Sequence, residues 1–174
     1  MIRMLHTGEL DAPTLRLVRG LLDEAFEGEF TDDDWAHGLG GTHALVIDDG
    51  HLVAHGSLVL RRLLHAGRSW RVGYVEAVAV RAGRRRSGHA TEVMTALESL
   101  RGGFDFMALS SSQYAVELYA SRGWRLWTGP TSVLGPSGIE PTPDDDGSVF
   151  VLPGAEPLDP TTDLTCDWRP GDVW

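Results

Sequence analysis

The stretch Gly73–Ala90 constrains the fold more than any other part of the chain. Gly73-Tyr-Val-Glu-Ala-Val-Ala-Val80 is apolar and rich in β-branched residues, the composition of a buried strand. Arg81-Ala-Gly-Arg-Arg-Arg-Ser-Gly-His-Ala90 is a basic, glycine-containing turn. Thr91 to Leu100 then reads as a helix, with Val93, Met94, Leu97 and Leu100 at helical spacing. A strand passing through a tight turn into a helix leaves unpaired backbone N–H groups at the positive end of the helix dipole, where anions bind. Gly88 allows close approach of the backbone, Ala90 is small, and Arg84, Arg85 and Arg86 add positive charge. A pyrophosphate would fit there. No Gly-Lys-Ser/Thr follows, so this is not a Walker loop. Taken alone, the turn also reads as a surface turn that happens to carry arginines.

A chain of 174 residues with 42% hydrophobic content is large enough for a real core and is read as one domain spanning 1–174. No apolar run approaches the length of a membrane span, and no basic-then-apolar leader opens the chain. A cytoplasmic protein without a membrane partner is the expectation. The single Cys166 excludes an internal disulfide. Net charge is −10, with a pI near 5.0, which disfavours nucleic acid and favours a cationic partner. All the basic residues are arginine.

Ile2 to Leu5 reads as a first strand. Asp11 before Pro13 opens an amphipathic helix carrying Leu15, Val18, Leu21, Leu22, Ala25 and Phe26. Thr31 and Asp34 form an N-cap pair for a short helix through Trp35. Ala44–Ile47, the turn Asp49-Gly50 and Leu52–Leu60 form a hairpin, and His65–Arg68 is a second turn before the strand that ends at Val80. The first half is therefore an antiparallel meander. His51 and His55 share a strand face; a third ligand is wanting, so ordinary strand positions are expected and no metal. Phe104–Leu109 is a strand, Gln113–Ser121 a helix with Gly123 at its end, and Trp124–Trp127, Ser132–Leu134 and Val149–Leu152 are short strands. Pro136–Gly147 reads as a polar loop and the chain from Pro153 as an irregular tail. The class is α/β, a mixed, largely antiparallel sheet with helices on both faces.

Arg85-Arg86-Ser87-Gly88-His89-Ala90 resembles the Arg/Gln-x-x-Gly-x-Gly/Ala pyrophosphate loop of the GNAT acyl-CoA N-acetyltransferases. Over nearly its full length the chain resembles a narrower family, the aminoglycoside 2'-N-acetyltransferases. The matching segments are Thr31–Trp35, Gly73–Val80, Leu109–Ser112, Leu118–Trp124, Gly129–Leu134, Thr142–Gly147 and Cys166–Trp174. The resemblance implies a GNAT fold, acetyl-CoA as cofactor, a polycationic aminoglycoside as acceptor, direct acetyl transfer and a homodimer. It implies that Val78, Ala79 and Val80 meet the pantetheine arm and that Arg85, Arg86, Ser87, Gly88, His89 and Ala90 hold the pyrophosphate.

Amine acetylation needs a bound thioester, a neutral amine, a donor for the developing oxyanion and a proton for the departing thiolate. Glu76 stands out as a carboxylate in an otherwise apolar strand. By position alone it is either an outward-facing strand residue or a general base; the resemblance assigns it the base, acting directly or through water. The resemblance makes Ala77 a backbone contact to the acceptor and the Val78 amide the donor to the thioester carbonyl. Tyr119, by spacing a core tyrosine, takes by resemblance the role of proton donor to the thiolate. Ser110 ends a strand, where serines ordinarily cap the next helix, and by resemblance sits at the acceptor cleft. Cys166 reads as a structural thiol. Acidic residues stand far apart in polar segments: Glu29, Asp32, Asp33, Asp34, Asp144, Asp145, Asp146, Asp167 and Asp172. Each alone is a solvated loop charge, and Asp146-Gly147 is an ordinary turn signal. The resemblance places acceptor contacts at Glu29, Asp144, Asp145, Asp172 and the terminal carboxylate of Trp174, with Glu29 standing where the family has aspartate. Two other readings stay open: acetylation of a different amine (a cell-wall amino sugar, a polyamine or a peptide), and a non-catalytic module that binds CoA or aminoglycoside.

Overall fold

The computed structural model describes residues 1–111 and 116–174. They form two compact units, Met1–Val59 with Val75–Leu100, and Leu60–Tyr74 with Arg101–Trp174.

In the first unit, α1 (Ala12–Ala25) starts where Asp11 accepts the Thr14 N–H at 2.9 Å, with proline in the first turn. α2 (Asp32–His37) starts on a capping box in which Thr31 and Asp34 bond each other's backbone N–H groups. β1 (Ile2–His6), β2 (Thr42–Asp48) and the first part of β3 (His51–His65) form an antiparallel ladder. Asp49 and Gly50 both have positive φ, 49° and 77°, as a two-residue hairpin turn requires. Leu45 pairs with His55 and Ala44 with Gly56, so these successive pairs face opposite sides of the sheet. α1 packs on the Leu45 side, where Val18 and Leu22 join Leu45, Phe30 and Ala79 in one buried cluster. α3 (His89–Glu98) lies on the Gly56 side, so close that a Cβ at Gly56 would sit 2.6 Å from Val93 Cγ1. The expectation of helices on both faces holds in this unit.

In the second unit, β3 turns through Ala66-Gly67 into β4 (Arg68–Val80). β4 pairs in parallel with β5 (Phe106–Ser110), Val72 with Phe106 and Tyr74 with Ala108. β5 is antiparallel to β9 (Val149–Leu152), which also pairs with β6 (Arg125–Leu126). Thr165 of β10 (Leu164–Asp167) pairs with Leu64 of β3, and β10 runs parallel to β7 (Thr131–Gly135), which forms a hairpin with β8 (Gly138–Pro141). α4 (Val116–Ala120) falls inside the helix expected over Gln113–Ser121; residues 113–115 lie outside the described residues.

Three expectations need correction. Pro136–Gly147 is not all loop, because Gly138–Pro141 is an edge strand. Its four residues are mostly exposed, so no apolar alternation marks it. The stretch from Pro153 is not all irregular, because Leu164–Asp167 is a strand flanked by β3 and β7. It is too short to show a period, and tertiary pairing alone makes it extended. β3 does not stop at Leu60 but continues to His65, because Arg61 is buried against Asp167 rather than ending the strand in solvent.

Candidate active site

Glu76 is half-buried near the end of β4, so the environment is less costly for a carboxylate than the apolar flanks suggest. Ala77 after it has φ +51°, a left-handed conformation unusual for a residue with a Cβ and more so inside a strand. Val78 is half-buried, Ala79 is buried and Val80 is half-buried.

The loop that follows makes a single 3₁₀ turn over Ala82–Arg84, extends at Arg85, and is left-handed at Arg86 (φ +63°) and again at Gly88 (φ +83°). Gly88 is the N-cap of α3 and contributes no side-chain cap; the N–H of Glu92 returns to its carbonyl at 3.0 Å. The amides of His89, Ala90 and Thr91 therefore precede the first intrahelical bond and point out of the helix end. This is backbone suited to a diphosphate. The arginines divide the work. Arg84 donates to Asp48 at 2.8 Å and lies 3.5 Å from Asp49, so its charge is compensated and it props the loop. Arg85 reaches the carbonyl of Ala25 at the end of α1. Arg86 is exposed and has no hydrogen-bond or ion-pair partner among the described residues, which leaves it for an incoming anion. His89 is half-buried, with Asp48 and Glu92 at 4.0 and 3.8 Å. Glu29 is exposed next to Phe30, which packs into the same cluster as Ala79 and Ala77. Asp32 and Asp34 are engaged elsewhere, with Arg19 and with the Thr31 cap.

In the second unit the remaining expected residues form one network. Trp174 is buried, donates its indole N–H to Thr142 Oγ1 at 2.9 Å, and donates its backbone N–H to Asp172 Oδ1 at 3.1 Å. Burial and the charge of Asp172 raise the Asp145 carboxyl above its ordinary value, against a lowering bond from Thr142. Asp144 and Asp146 press in the same direction as Asp172. Ser148 ties this group to β5: its hydroxyl donates to the Asp145 carbonyl at 2.7 Å and lies 3.2 Å from the Ser110 hydroxyl, and its carbonyl accepts the Ser111 N–H. Ser111 bonds the Tyr119 hydroxyl. Tyr119 is buried between the rings of Trp124 and Phe150, and burial pushes its phenol up, which keeps the proton on it. Asp146 is structural, accepting both N–H and O–H of Thr131.

Sequence reasoning missed two arginines that hold the last residues in place. Arg61, 4% exposed, bonds Asp167 through its side chain and carbonyl and also the Val173 carbonyl, each at 2.8 Å. Arg169 donates to the main-chain oxygens of Asp172 and Trp174 at 2.9 Å. Both guanidinium groups lie over the Tyr74 ring, at 4.7 and 5.6 Å from its centroid. Cys166 is buried beside them, its thiol pushed up to about 11 by burial, as a structural thiol should be.

Also missed was a pair of buried histidines in the first unit. His55 does not pair with His51; its Nε2 lies 2.9 Å from His43 Nδ1 and its Nδ1 lies 2.9 Å from the Ala77 carbonyl. Burial lowers His43 to about 4 and His55 to about 3. The signal that could have found them is the hairpin register, which sets His43 two residues from the partner of His55.

A groove of about 700 Å³ in the second unit, lined among others by His65, Ile139, Ser132 and Thr165, contains none of these residues. Within it Ser132 bonds Thr165 at 2.7 Å and His65 Nδ1 bonds the Asp163 carbonyl at 3.1 Å.

Residues 9–127 match the family model described as an acetyltransferase (GNAT) domain. The chain is 52% identical to a protein of Mycolicibacterium fortuitum named aminoglycoside 2'-N-acetyltransferase, over 99% of this chain and 91% of that one. Among solved structures it is similar to a GNAT family acetyltransferase from Brucella melitensis in complex with acetyl-CoA. That likeness has a TM-score of 0.59 and 15% identity, and covers 94% of each chain. It is similar also to Escherichia coli ElaA, with a TM-score of 0.59 and 17% identity, over 87% of this chain and 97% of that one. A third likeness, to Eis1 from Mycobacterium abscessus, has a TM-score of 0.61 and 18% identity over 76% of this chain; it takes in only 33% of that chain.

Proposed function

The chain belongs to the GNAT acetyltransferase family, and from that premise we propose that it transfers the acetyl group of acetyl-CoA to the 2'-amino group of aminoglycosides, conferring resistance to them. The observation that carries the choice of acceptor is the group Asp144, Asp145 and Asp172, in which burial first, and then the neighbouring carboxylates, raise the Asp145 carboxyl. Carboxylates held together against their own repulsion are best relieved by a ligand with several ammonium groups. The 52% identical relative bears the name of this activity.

Acetyl-CoA supplies an activated acyl group. The uncapped amides of His89, Ala90 and Thr91, with Arg86, Ser87 and Gly88 before them, fit its pyrophosphate, and Arg85 braces the loop against α1. Val78, Ala79 and Val80 offer a strand segment to the pantetheine arm, and the Val78 N–H is the donor to the thioester oxygen. Asp144, Asp145, Asp172 and the carboxylate of Trp174 receive acceptor ammonium groups, with Ser110, Ala77 and Glu29 as further contacts. Glu76 takes the proton that makes the 2'-amine neutral, directly or through water. The amine nitrogen attacks the carbonyl carbon, the C–S bond breaks, Tyr119 gives its proton to the departing thiolate, and the proton shed by the new amide nitrogen passes through solvent to restore the phenol. No cysteine nucleophile is needed. Acetylation removes one positive charge and adds bulk, which weakens an aminoglycoside's hold on RNA phosphates.

Residues 1–174 are read as one catalytic domain, cytoplasmic and homodimeric, with no nucleic-acid partner. Among the described residues no helix is long and apolar enough to cross a membrane. The deciding experiment measures CoA thiol release with acceptors that carry a 2'-amine and with matched acceptors that carry a 2'-hydroxyl. Turnover confined to the 2'-amines is expected. Turnover on polyamines or peptide amines alone would overturn the reading.

A further inference from the structure

We propose that His43 and His55 are positioning residues for acetyl transfer, a buried relay that fixes the direction of the Val78 N–H by gripping the carbonyl of Ala77. What the Val78 N–H does rests on the functional reading above; the relay itself is geometry.

The relay is continuous. The Gly40 N–H donates to Thr7 Oγ1 at 2.9 Å, and Thr7 Oγ1 lies 2.8 Å from His43 Nε2. His43 Nδ1 meets His55 Nε2 at 2.9 Å, and His55 Nδ1 meets the Ala77 carbonyl at 2.9 Å. His43 and His55 are 0% and 1% exposed. A carbonyl only accepts, so His55 Nδ1 carries the proton. A neutral imidazole has one N–H, so His55 Nε2 accepts and His43 Nδ1 donates. His43 Nε2 then accepts in turn, so the Thr7 hydroxyl donates to it at 2.8 Å rather than to the Gly41 carbonyl 3.2 Å away, which already accepts the Thr7 N–H at 2.9 Å. One end therefore dictates both tautomers, and every donor in the chain points toward Ala77.

Ala77 needs such a grip. Its φ of +51° turns its peptide out of the regular strand direction, a conformation disfavoured for a residue with a Cβ. The Ala77 C=O and the Val78 N–H are the two ends of one planar trans peptide and point in opposite directions. Fixing the carbonyl toward His55 fixes the amide away from it. The same chain of bonds polarises that peptide and strengthens the Val78 N–H as a donor. Catalysis by a hydrogen-bond donor depends on its being set in advance.

Three variants test this: His55→Leu, His55→Asn and His43→Leu. Asparagine can place an amide donor near the position of Nδ1, whereas leucine removes it. In His55→Leu, turnover at saturating acetyl-CoA and acceptor should fall about 10- to 100-fold, with the KM for acetyl-CoA changed less than about threefold. His55→Asn should recover most of the loss. His43→Leu leaves the final donor in place and should fall less than His55→Leu. A second readout needs no activity: the ¹⁵N and ¹H shifts of the Val78 amide, with and without acetyl-CoA. The shift on binding should be lost in His55→Leu and kept in His55→Asn. If His55→Leu does not fold, as judged by circular dichroism at the assay temperature, the other two variants decide by the same measures. Wild-type turnover and an unchanged Val78 amide in folded His55→Leu would overturn the proposal, as would the absence of rescue by asparagine. A wild-type protein inactive on every amine would remove the functional reading while the amide shifts still judged the relay.

Discussion

His43 and His55 make stability depend on acid. Both are neutral in the folded chain, lowered by burial to about 4 and about 3, whereas an unfolded histidine titrates near 6.5. Below pH 6.5 the unfolded state binds protons that the folded state refuses, so stability is full above 6.5 and is lost as pH falls toward 4 and 3. The slope is about 1.4 kcal/mol per pH unit for each ring, or about 2 kcal/mol per ring at pH 5. The charge of His6 adds to this at His43. Asp145 acts with the opposite sign, since burial, and then repulsion from Asp172, favours its protonated form in the folded chain. Urea unfolding at pH 7.5, 6 and 5 should show the fall, and His55→Leu should flatten it. Asp145→Asn should stabilise the free protein by a few tenths of a kcal/mol while raising the acceptor KM, a pairing that a purely structural carboxylate would not give. Glu76→Gln should lower turnover and remove the acidic limb of its pH profile; an unchanged profile would exclude the base role. Glu76 stands out in the sequence because a carboxylate in an apolar run is a local anomaly. His55 does not, because its meaning lies in His43 on the neighbouring strand. A register shift between Val46 and Ile47 decides which residues meet there.

At the scale of elements, the strand, turn and helix of Gly73–Ala90 were legible because each carries its own signal: apolar run, glycine, helical period. The second left-handed residue in the turn, Arg86, was not, since arginine gives no such signal. Gly88 has nothing within 4 Å of where a Cβ would sit, so Gly88→Ala meets only the conformational penalty of φ +83°, about 1 kcal/mol by thermal denaturation. Distortion of the anion turn should also raise the KM for acetyl-CoA. Arg86→Ala should weaken acetyl-CoA binding about tenfold by calorimetry and leave the melting temperature unchanged, because Arg86 has no partner among the described residues. The strands at the far end of the chain were illegible for a different reason. β8 and β10 are short, and their extended form is imposed by β7 and β3 rather than by their own composition. The C-terminal residues follow the same logic, pinned by Arg61 and Arg169. Removing Val173 and Trp174, or changing Arg169 to Ala, should raise the acceptor KM and spare that for acetyl-CoA.

The whole molecule carries a net charge of −10, and the two substrates of the proposed reaction have opposite signs, so ionic strength should affect them differently. On the proposed function, a polycationic acceptor is attracted at long range by the net charge and at short range by Asp144, Asp145 and Asp172. Screening weakens both attractions, as the Debye length falls from about 10 Å at 0.1 M salt to about 3 Å at 1 M. Raising sodium chloride from 0.05 to 0.5 M should therefore raise the acceptor KM about tenfold through the association rate, with turnover at saturation unchanged. Acetyl-CoA is a polyanion: the net charge repels it, while on the proposed function the loop at Arg85 and Arg86 attracts it. Screening reduces both effects, and its KM should move far less. A 2'-amine acceptor stripped of its other ammonium groups should lose the salt dependence along with most of its affinity. If instead the stripped acceptor keeps the salt response, the acidic group around Asp145 is not what the acceptor binds, and attraction by the molecule's overall charge suffices.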